Sequence, residues 1–353
     1  MTINYRFVNY GEPLEPTPGT LVLDVGMTTT PGVIDHHHPQ AEAECTASLI
    51  AKHPRLVLDH LGAVRPPQGP AFPSELLTIV THTLPDFDAV ASVFLALRLL
   101  EMGGVDAAMA KIAAYTKLVD SASLPKTIDL AGTPYAIFRA LFSGSKKSGE
   151  DASRERIEEG LRFMRFLYAR ADEGYDFADD RRLYSGIDRY ERSRRKVEDD
   201  YFQYLTDLGR GRVISLALPS IGAAAETKAV DGLVVRNPRS FLLREWARRD
   251  QDASPLGKGF AFLMTNFGNT RFILGVDPER GVNLRGLGAL LNRRESEKRR
   301  DPTGVSGRAW YEGNCPFFNY RIIDSPQDGT SLSHEDVLET VLAFGAPGLN
   351  LQF

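Results

Sequence analysis

Short apolar runs that stop at polar residues recur through the first hundred positions of the chain. Each run has the length of a short buried strand, and each ends where side chains able to carry chemistry begin. Residues 21–23 precede Asp24, residues 33–34 precede Asp35, and residues 76–80 come shortly before His82. The pattern predicts strands with polar carboxyl ends.

Helical periodicity fills the intervals between these runs. Residues 89–102 carry apolar side chains at helical spacing and stop at Gly103-Gly104, a typical helix end. Residues 46–52 and 106–119 also have a helical pattern. The alternation predicts an α/β fold in which a mostly parallel sheet has helices on both faces. In such sheets, ligand sites form at the carboxyl ends of the strands.

The pattern changes twice further along the chain. Residues 148–208 are densely charged with interleaved aromatics, which is typical of amphipathic helices with solvated charges. Strand-like runs return at residues 212–218, 260–264 and 271–276. We therefore predict a catalytic α/β domain over residues 1–147, a helical linker over 148–210 and a smaller, substrate-binding α+β domain over 211–353.

Composition narrows the functional classes. The chain has 353 residues, 42% hydrophobic and 25% charged, which is typical of a folded globular protein. A net charge of -4 gives no general attraction to nucleic acid or anionic lipid. No apolar run approaches the roughly 18 residues needed to span a bilayer, and no signal peptide is recognisable, so we expect a cytoplasmic protein with no membrane partner. Cys45 and Cys315 are far apart, so any metal must be bound by oxygen and imidazole.

One imidazole and two carboxylates lie close together after the third apolar run, at His82, Asp86 and Asp88. Their mutual repulsion needs a compensating charge, and a helix N-terminus supplies only about 0.3–1 kcal/mol. A bound cation would compensate more strongly. The structural alternative is that Asp86 caps a helix, His82 is a buried hydrogen-bonded histidine and Asp88 is an exposed acid.

A second polar cluster favours the metal interpretation. Asp35-His36-His37-His38 follows the second run, and Asp24 ends the first. Neutral imidazoles are frequent metal ligands, whereas a solvated turn has no need of three histidines. Aspartates and histidines at the ends of separate strands indicate a shared cation site.

These residues resemble the motifs of the DHH phosphoesterase superfamily, which includes RecJ-like, nanoRNase and family II pyrophosphatase-like proteins. Asp35-His36-His37 looks like the run that names the family, and His82-x-x-x-Asp86-x-Asp88 looks like its opening motif. The order is permuted, because the family's opening motif here follows the Asp-His-His run. The resemblance covers roughly residues 20–125.

The resemblance implies a set of roles. One cation would be bound by His82, Asp86 and Asp24, and a second by Asp88, Asp24, His36 and Asp120, with Asp129 as the alternative to Asp120. The resemblance also implies that Asp35, His36 and His37 are the catalytic residues. His36 would be a metal ligand as well, Asp35 would orient a histidine and His37 would donate to the phosphate. Imidazole and carboxylate ligands suit two Mn²⁺ ions, with Mg²⁺ or Co²⁺ as substitutes.

The second half of the chain lacks the glycine-rich motif that many relatives use for substrate recognition. The nearest substitutes offer guanidinium forks and glycine-freed backbone N–H groups for phosphate oxygens. The candidate substrate-binding residues are Arg285, Arg293, Arg294, Asn314 and Arg321. Solvated charge is the stronger interpretation for Arg293 and Arg294, which lie in a helical charge run.

Together these features predict a manganese-dependent phosphoesterase that hydrolyses a small phosphorylated substrate by two-metal activation of water. The substrate would be a short oligonucleotide, a dinucleotide or a related phosphodiester, with short single-stranded nucleic acid as a partner and homodimerisation left open. Two alternatives remain: a phosphoanhydride hydrolase such as a pyrophosphatase or polyphosphatase, and a non-catalytic sensor that binds a nucleotide or metal.

Overall fold

The apolar runs of the N-terminal part form a five-stranded sheet in the computed structural model, which describes residues 2–62, 76–177, 181–299, 309–326 and 329–346. Its strands are β1 (Thr2–Val8), β2 (Thr20–Leu23), β3 (Thr29–Thr30), β4 (Val33–Ile34) and β5 (Leu76–His82). They lie in the order β1-β5-β2-β4-β3. The first four strands in that order are mutually parallel, and only β3 runs antiparallel to its neighbour β4.

The first α-helices of this part follow β4, and more follow β5. They are α1 (Thr46–Lys52), α2 (Arg55–Gly62), α3 (Phe87–Met102), α4 (Ala107–Asp120), α5 (Pro134–Phe142), α6 (Gly149–Asp172) and α7 (Asp188–Arg210). Helix α3 contacts α1, α4, α6 and the strands β2 and β5, so it is the central helix of this part. Asp86 caps its N-terminus and Gly103, in the left-handed conformation, ends it.

Close packing of α6 on α3 depends on one glycine. A Cβ atom at Gly160 would lie 2.6 Å from a methyl carbon of Val90 and 3.2 Å from the ring of Phe138. The absence of a side chain lets the two helices approach each other. Three aromatic residues of the charged middle segment, Phe163, Tyr184 and Tyr190, are buried against one another, so they are core residues.

The second sheet is mostly antiparallel. Its strands are β6 (Arg212–Ser220), β7 (Ala223–Arg236), β8 (Phe262–Phe267), β9 (Arg271–Val276) and β10 (Ile322–Asp324), in the order β10-β9-β8-β7-β6, with only β7 and β8 parallel. The helices here are α8 (Leu243–Arg249), α9 (Leu287–Arg299) and α10 (His334–Phe344). Consecutive residues of β7 point to opposite faces: Val234 joins a core with α9 and α10, and Leu233 joins one with α8.

The chain divides into two compact units, Met1–Arg194 with Cys315–Phe317, and Arg195–Asn314 with Phe318–Phe353. The predicted fold class is confirmed: a mostly parallel N-terminal sheet with helices, a helical middle and a C-terminal α+β part. The sequence pattern does not predict β1, β3, β7 or β10. Within the described residues, every helix is too short or too polar to cross a membrane.

Candidate metal centre

Three parallel strands, β2, β4 and β5, are each followed or ended by a polar residue at the same level of the first sheet. Val22 of β2 is in register with Val33 of β4 and with Val80 of β5. Two residues beyond these valines come Asp24, Asp35 and His82. Equal spacing from a common register places the three polar residues at one edge of the sheet.

Asp24 has an unusual backbone conformation at the end of β2. Its φ angle is 64°, in the left-handed region, and its side chain is buried. Its N–H donates to the carbonyl oxygen of Ile34 at 2.9 Å, which fixes the turn against β4. A non-glycine residue held there is strained by about 1–3 kcal/mol, and such strain concentrates at functional sites.

The carboxylate of Asp24 lies between two histidines. Its Oδ1 is 3.3 Å from Nε2 of His36, and its Oδ2 is 3.4 Å from Nε2 of His82. The hydroxyl of Thr46 also donates to Oδ1 at 3.0 Å. Each oxygen of Asp24 therefore belongs to a different group of ligand atoms.

The first group consists of Asp24, His82 and Asp86, whose ligand atoms all lie within 4.8 Å of one another. His82 Nδ1 is 2.9 Å from the carbonyl oxygen of Thr83, to which it must donate, so the neutral ring carries its lone pair on Nε2. That Nε2 is buried and makes no hydrogen bond within the described part of the chain. A lone pair facing two carboxylates requires a cation or a proton between them.

The second group consists of His36, Asp88 and Asp120. Nε2 of His36 is 3.9 Å from Oδ2 of Asp88 and 3.6 Å from Oδ2 of Asp120, the last residue of α4. Asp24 Oδ1 lies 3.3 Å from the same Nε2, and Asp24, His36 and His37 form a further set whose ligand atoms all lie within 4.8 Å of one another. Asp129, the alternative to Asp120, instead caps a short 3-10 helix by accepting from the N–H of Ala131.

Asp35 orients His37. Its Oδ1 accepts from both the backbone N–H and Nδ1 of His37, at 3.0 and 2.7 Å, and its Oδ2 accepts from the N–H of Met27 at 2.7 Å. Asp35 thus fixes the orientation of the His37 ring through Nδ1. His38 lies outside the ligand groups, with its Nε2 3.0 Å from the hydroxyl of Thr29.

The carboxylates and imidazoles of the cluster shift one another's pKa values. Burial opposes charge on His82, yet the carboxylates of Asp24 and Asp86 raise its pKa to about 10. Burial likewise opposes charge on His37, yet Asp35 and Asp24 raise its pKa to about 9. Burial and the neighbouring carboxylates raise the pKa of Asp88. The cluster thus retains protons in the absence of a cation, and divalent cations would replace them.

Aromatic rings enclose the histidines. Tyr10 stacks on His82 with 4.3 Å between ring centroids and meets the edge of His37 at 5.4 Å. Phe317 contacts the ring of His36 edge-on at 5.0 Å. The side chain of Asp86 is 49% exposed whereas that of Asp24 is 2% exposed, so the cluster opens to solvent beside Asp86.

Sequence reasoning misses Thr46 and Tyr10. Thr46 lies at the start of a predicted helix, and no motif marks its contact with Asp24. Tyr10 follows β1, a strand whose pattern is weak because its side chains alternate between exposed and half-buried. Recognising that alternation as an edge strand would have pointed to polar or aromatic residues at its carboxyl end.

The candidate substrate residues of the second half lie in the second unit. Arg294 pairs with Asp336 at 3.0 Å and with Glu339 at 2.8 Å, so its guanidinium is occupied by carboxylates. Arg285 lies over the ring of Tyr320, and Arg321 donates through Nε to the carbonyl of Phe318. Arg293 and Asn314 are exposed. Substrate binding by these five residues stays a prediction.

Comparison of the chain with models of known protein families gives no match, and comparison with curated protein sequences gives none either. The functional assignment therefore rests on the buried Asp and His groups themselves, which could bind metal.

Proposed function

We propose that this protein is a divalent-metal-dependent phosphoesterase that hydrolyses a small phosphorylated substrate, such as a short oligonucleotide or a dinucleotide. The observation that carries the proposal is the position of Asp24, whose two oxygens face His36 and His82 at 3.3 and 3.4 Å. A carboxylate shared in this way between two ligand groups is what a pair of cations requires.

The donor set fits such a pair. His82, Asp86 and Asp24 Oδ2 would hold one cation, and His36, Asp88, Asp120 and Asp24 Oδ1 would hold the other. Carboxylate and imidazole ligands favour Mn²⁺, with Mg²⁺ or Co²⁺ as substitutes. When bound, two such ions lower the pKa of a water molecule and stabilise the attacking and leaving oxygens at phosphorus.

The chain's own residues would orient the substrate. Asp35 holds Nδ1 of His37, and the raised pKa of His37 favours the ring that also carries a proton on Nε2. We assign this Nε2–H as a donor to a phosphoryl oxygen. Tyr10 stacks on the ring of His82 and Phe317 contacts the ring of His36 edge-on, so both aromatic rings limit the access of water to these histidines.

The resemblance to the DHH phosphoesterases supports this assignment, and the permuted motif order does not oppose it. In the sheet, β5 lies directly beside β2, and β2 lies beside β4. The segment that comes last in the chain thus delivers His82 and Asp86 next to Asp24. Ligands at one sheet edge can be supplied in any chain order.

The test is hydrolysis of bis-p-nitrophenyl phosphate and of a short oligonucleotide by the purified protein with Mn²⁺. Asp86→Asn should abolish turnover, since the amide cannot supply a carboxylate ligand but can still cap α3. Asp106→Asn is the matched control, because Asp106 caps α4 through the same kind of bond and belongs to no ligand group. Equal turnover in both variants would refute the proposal.

A substrate panel separates the phosphoesterase from its alternatives. Pyrophosphate, polyphosphate, dinucleotides and short RNA should be compared under one set of conditions. Preference for the first two would indicate a phosphoanhydride hydrolase. Tight nucleotide binding without turnover of any of them would indicate a sensor.

A further inference from the structure

A guanidinium from α6 contacts the loop that carries the first ligand group. Nη1 of Arg156 donates to the carbonyl oxygens of Leu84 and Pro85, at 3.2 and 3.4 Å. Ser153, one helical turn earlier, accepts the N–H of Leu84 at 2.9 Å. Pro85 immediately precedes Asp86. Arg156 therefore lies beside the opening of the candidate metal centre.

The charge of Arg156 has no carboxylate partner at ion-pair distance among the described residues. Both of its hydrogen bonds use Nη1, which leaves the rest of the fork for another acceptor. The side chain is half-buried, with its guanidinium carbon 5.5 Å from the centre of the Phe142 ring. A second guanidinium, that of Arg139, lies one helical turn before Phe142 on α5, and burial together with this guanidinium lowers the pKa of Arg156. Two adjacent cations in this position favour an anion between them.

Metal binding would strengthen this preference. Four carboxylates take part in the ligand groups, those of Asp24, Asp86, Asp88 and Asp120. Two divalent cations would offset their four negative charges. Arg156 would then leave the opening beside Asp86 positively charged.

We propose that Arg156, with Arg139, forms a subsite beside Asp86 that binds a second phosphate group of the substrate while the first lies at the metal pair. The inference rests on the proposed function and extends it: the preferred substrates carry two phosphate groups. Arg156 acts through direct contact with the second phosphate, and its bonds to Leu84 and Pro85 hold its guanidinium in place.

The test compares two non-hydrolysable probes, methylenebisphosphonate and methylphosphonate, by calorimetry on the Mn²⁺-loaded protein. In the wild type the bisphosphonate should bind more tightly. Arg156→Gln should weaken its binding by about tenfold or more, the loss expected for a charge-assisted hydrogen bond, and should leave methylphosphonate binding unchanged. Arg139→Gln should have a smaller effect in the same direction. Arg154→Gln is the matched control, because Arg154 is exposed on the same helix and pairs with Glu150.

An unchanged preference for the bisphosphonate in Arg156→Gln would overturn the subsite, and so would equal weakening of both probes, which would indicate a role only in holding the loop. A wild type that binds Mn²⁺ and shows the Arg156-dependent preference, yet hydrolyses no phosphoester, would retain the subsite and reject the proposed function.

Discussion

The carboxylate of Asp88 accepts a hydrogen bond of 2.8 Å from the backbone N–H of Thr46, 42 residues earlier in the chain. Its other oxygen accepts from the N–H of Ala47 at 2.9 Å. Asp88 in the first turn of α3 thus satisfies the free N–H groups at the start of α1. A carboxylate that we assign to a cation also joins two helices, so the metal centre and the fold are coupled.

Replacing Asp88 by asparagine should destabilise the metal-free protein. An amide has one oxygen, so one N–H of α1 loses its partner and faces an NH₂ group, at a cost of about 1–3 kcal/mol. Hydrogen exchange in EDTA measures this directly, and the amides of α1 should exchange faster in the variant. Asp120→Asn is the control, because Asp120 shares the ligand group but ends α4. Unchanged protection of α1 in Asp88→Asn would contradict the account.

Thr46 should influence metal affinity without being a ligand. Its hydroxyl donates to Oδ1 of Asp24 at 3.0 Å and so holds the shared carboxylate in position. Thr46→Val keeps the shape but loses the donor, and should weaken Mn²⁺ binding by about 10–100-fold. Thr46→Ser keeps the hydroxyl and should bind nearly as the wild type does. Equal affinities of the valine and serine variants would show that this hydrogen bond does not matter.

Divalent cations should stabilise the protein through Asp24. A ligand at 100 times its Kd adds about 2.7 kcal/mol to the free energy of unfolding, so Mn²⁺ should raise the Tm and EDTA should reverse the rise. Asp24→Asn should remove most of the rise, since the two oxygens of this carboxylate face one histidine of each ligand group. The comparison is a pair of melting curves, with and without Mn²⁺, for each protein. A full rise in the variant would exclude the shared position of Asp24.

Acid should weaken the second unit through Asp336. Lys298, together with the N–H of Ser333, lowers the pKa of Asp336 below its usual range. A lowered folded-state pKa contributes stability above the unfolded value of about 3.9, and that stability is lost as the pH falls through the folded value. Asp336→Asn should therefore be less stable than the wild type at pH 6, and the difference should shrink below about pH 4.

Tryptophan fluorescence is suited to this measurement, because Trp246 and Trp310 are the two tryptophans of the chain and both lie in the second unit. Urea midpoints at several pH values give the difference. Glu335→Gln is the control, since Glu335 is an exposed residue of the same helical turn. A stability difference between the wild type and Asp336→Asn that stays constant from pH 6 to pH 3 would contradict the role given to Asp336.

The local sequence pattern predicts much of the first sheet, but few of the side-chain contacts that complete the site. The runs before Asp24, Asp35 and His82 are short, apolar and abruptly ended, so their strands and the common edge follow from pattern alone. The contacts of Thr46 and Arg156 with this edge join residues about 20 to 70 positions apart, and no local pattern encodes them. Neither does it encode the placement of β5 beside β2, on which the convergence of His82 and Asp24 depends.

The most direct test of the two-cation site is a crystal structure of the Mn²⁺-loaded protein with anomalous scattering recorded at the manganese edge. A two-cation site predicts two anomalous peaks about 3.5–4 Å apart, one on each side of the Asp24 carboxylate, with Nε2 of His82 bound to one and Nε2 of His36 bound to the other. A single peak, or peaks that do not involve Asp24, would contradict it.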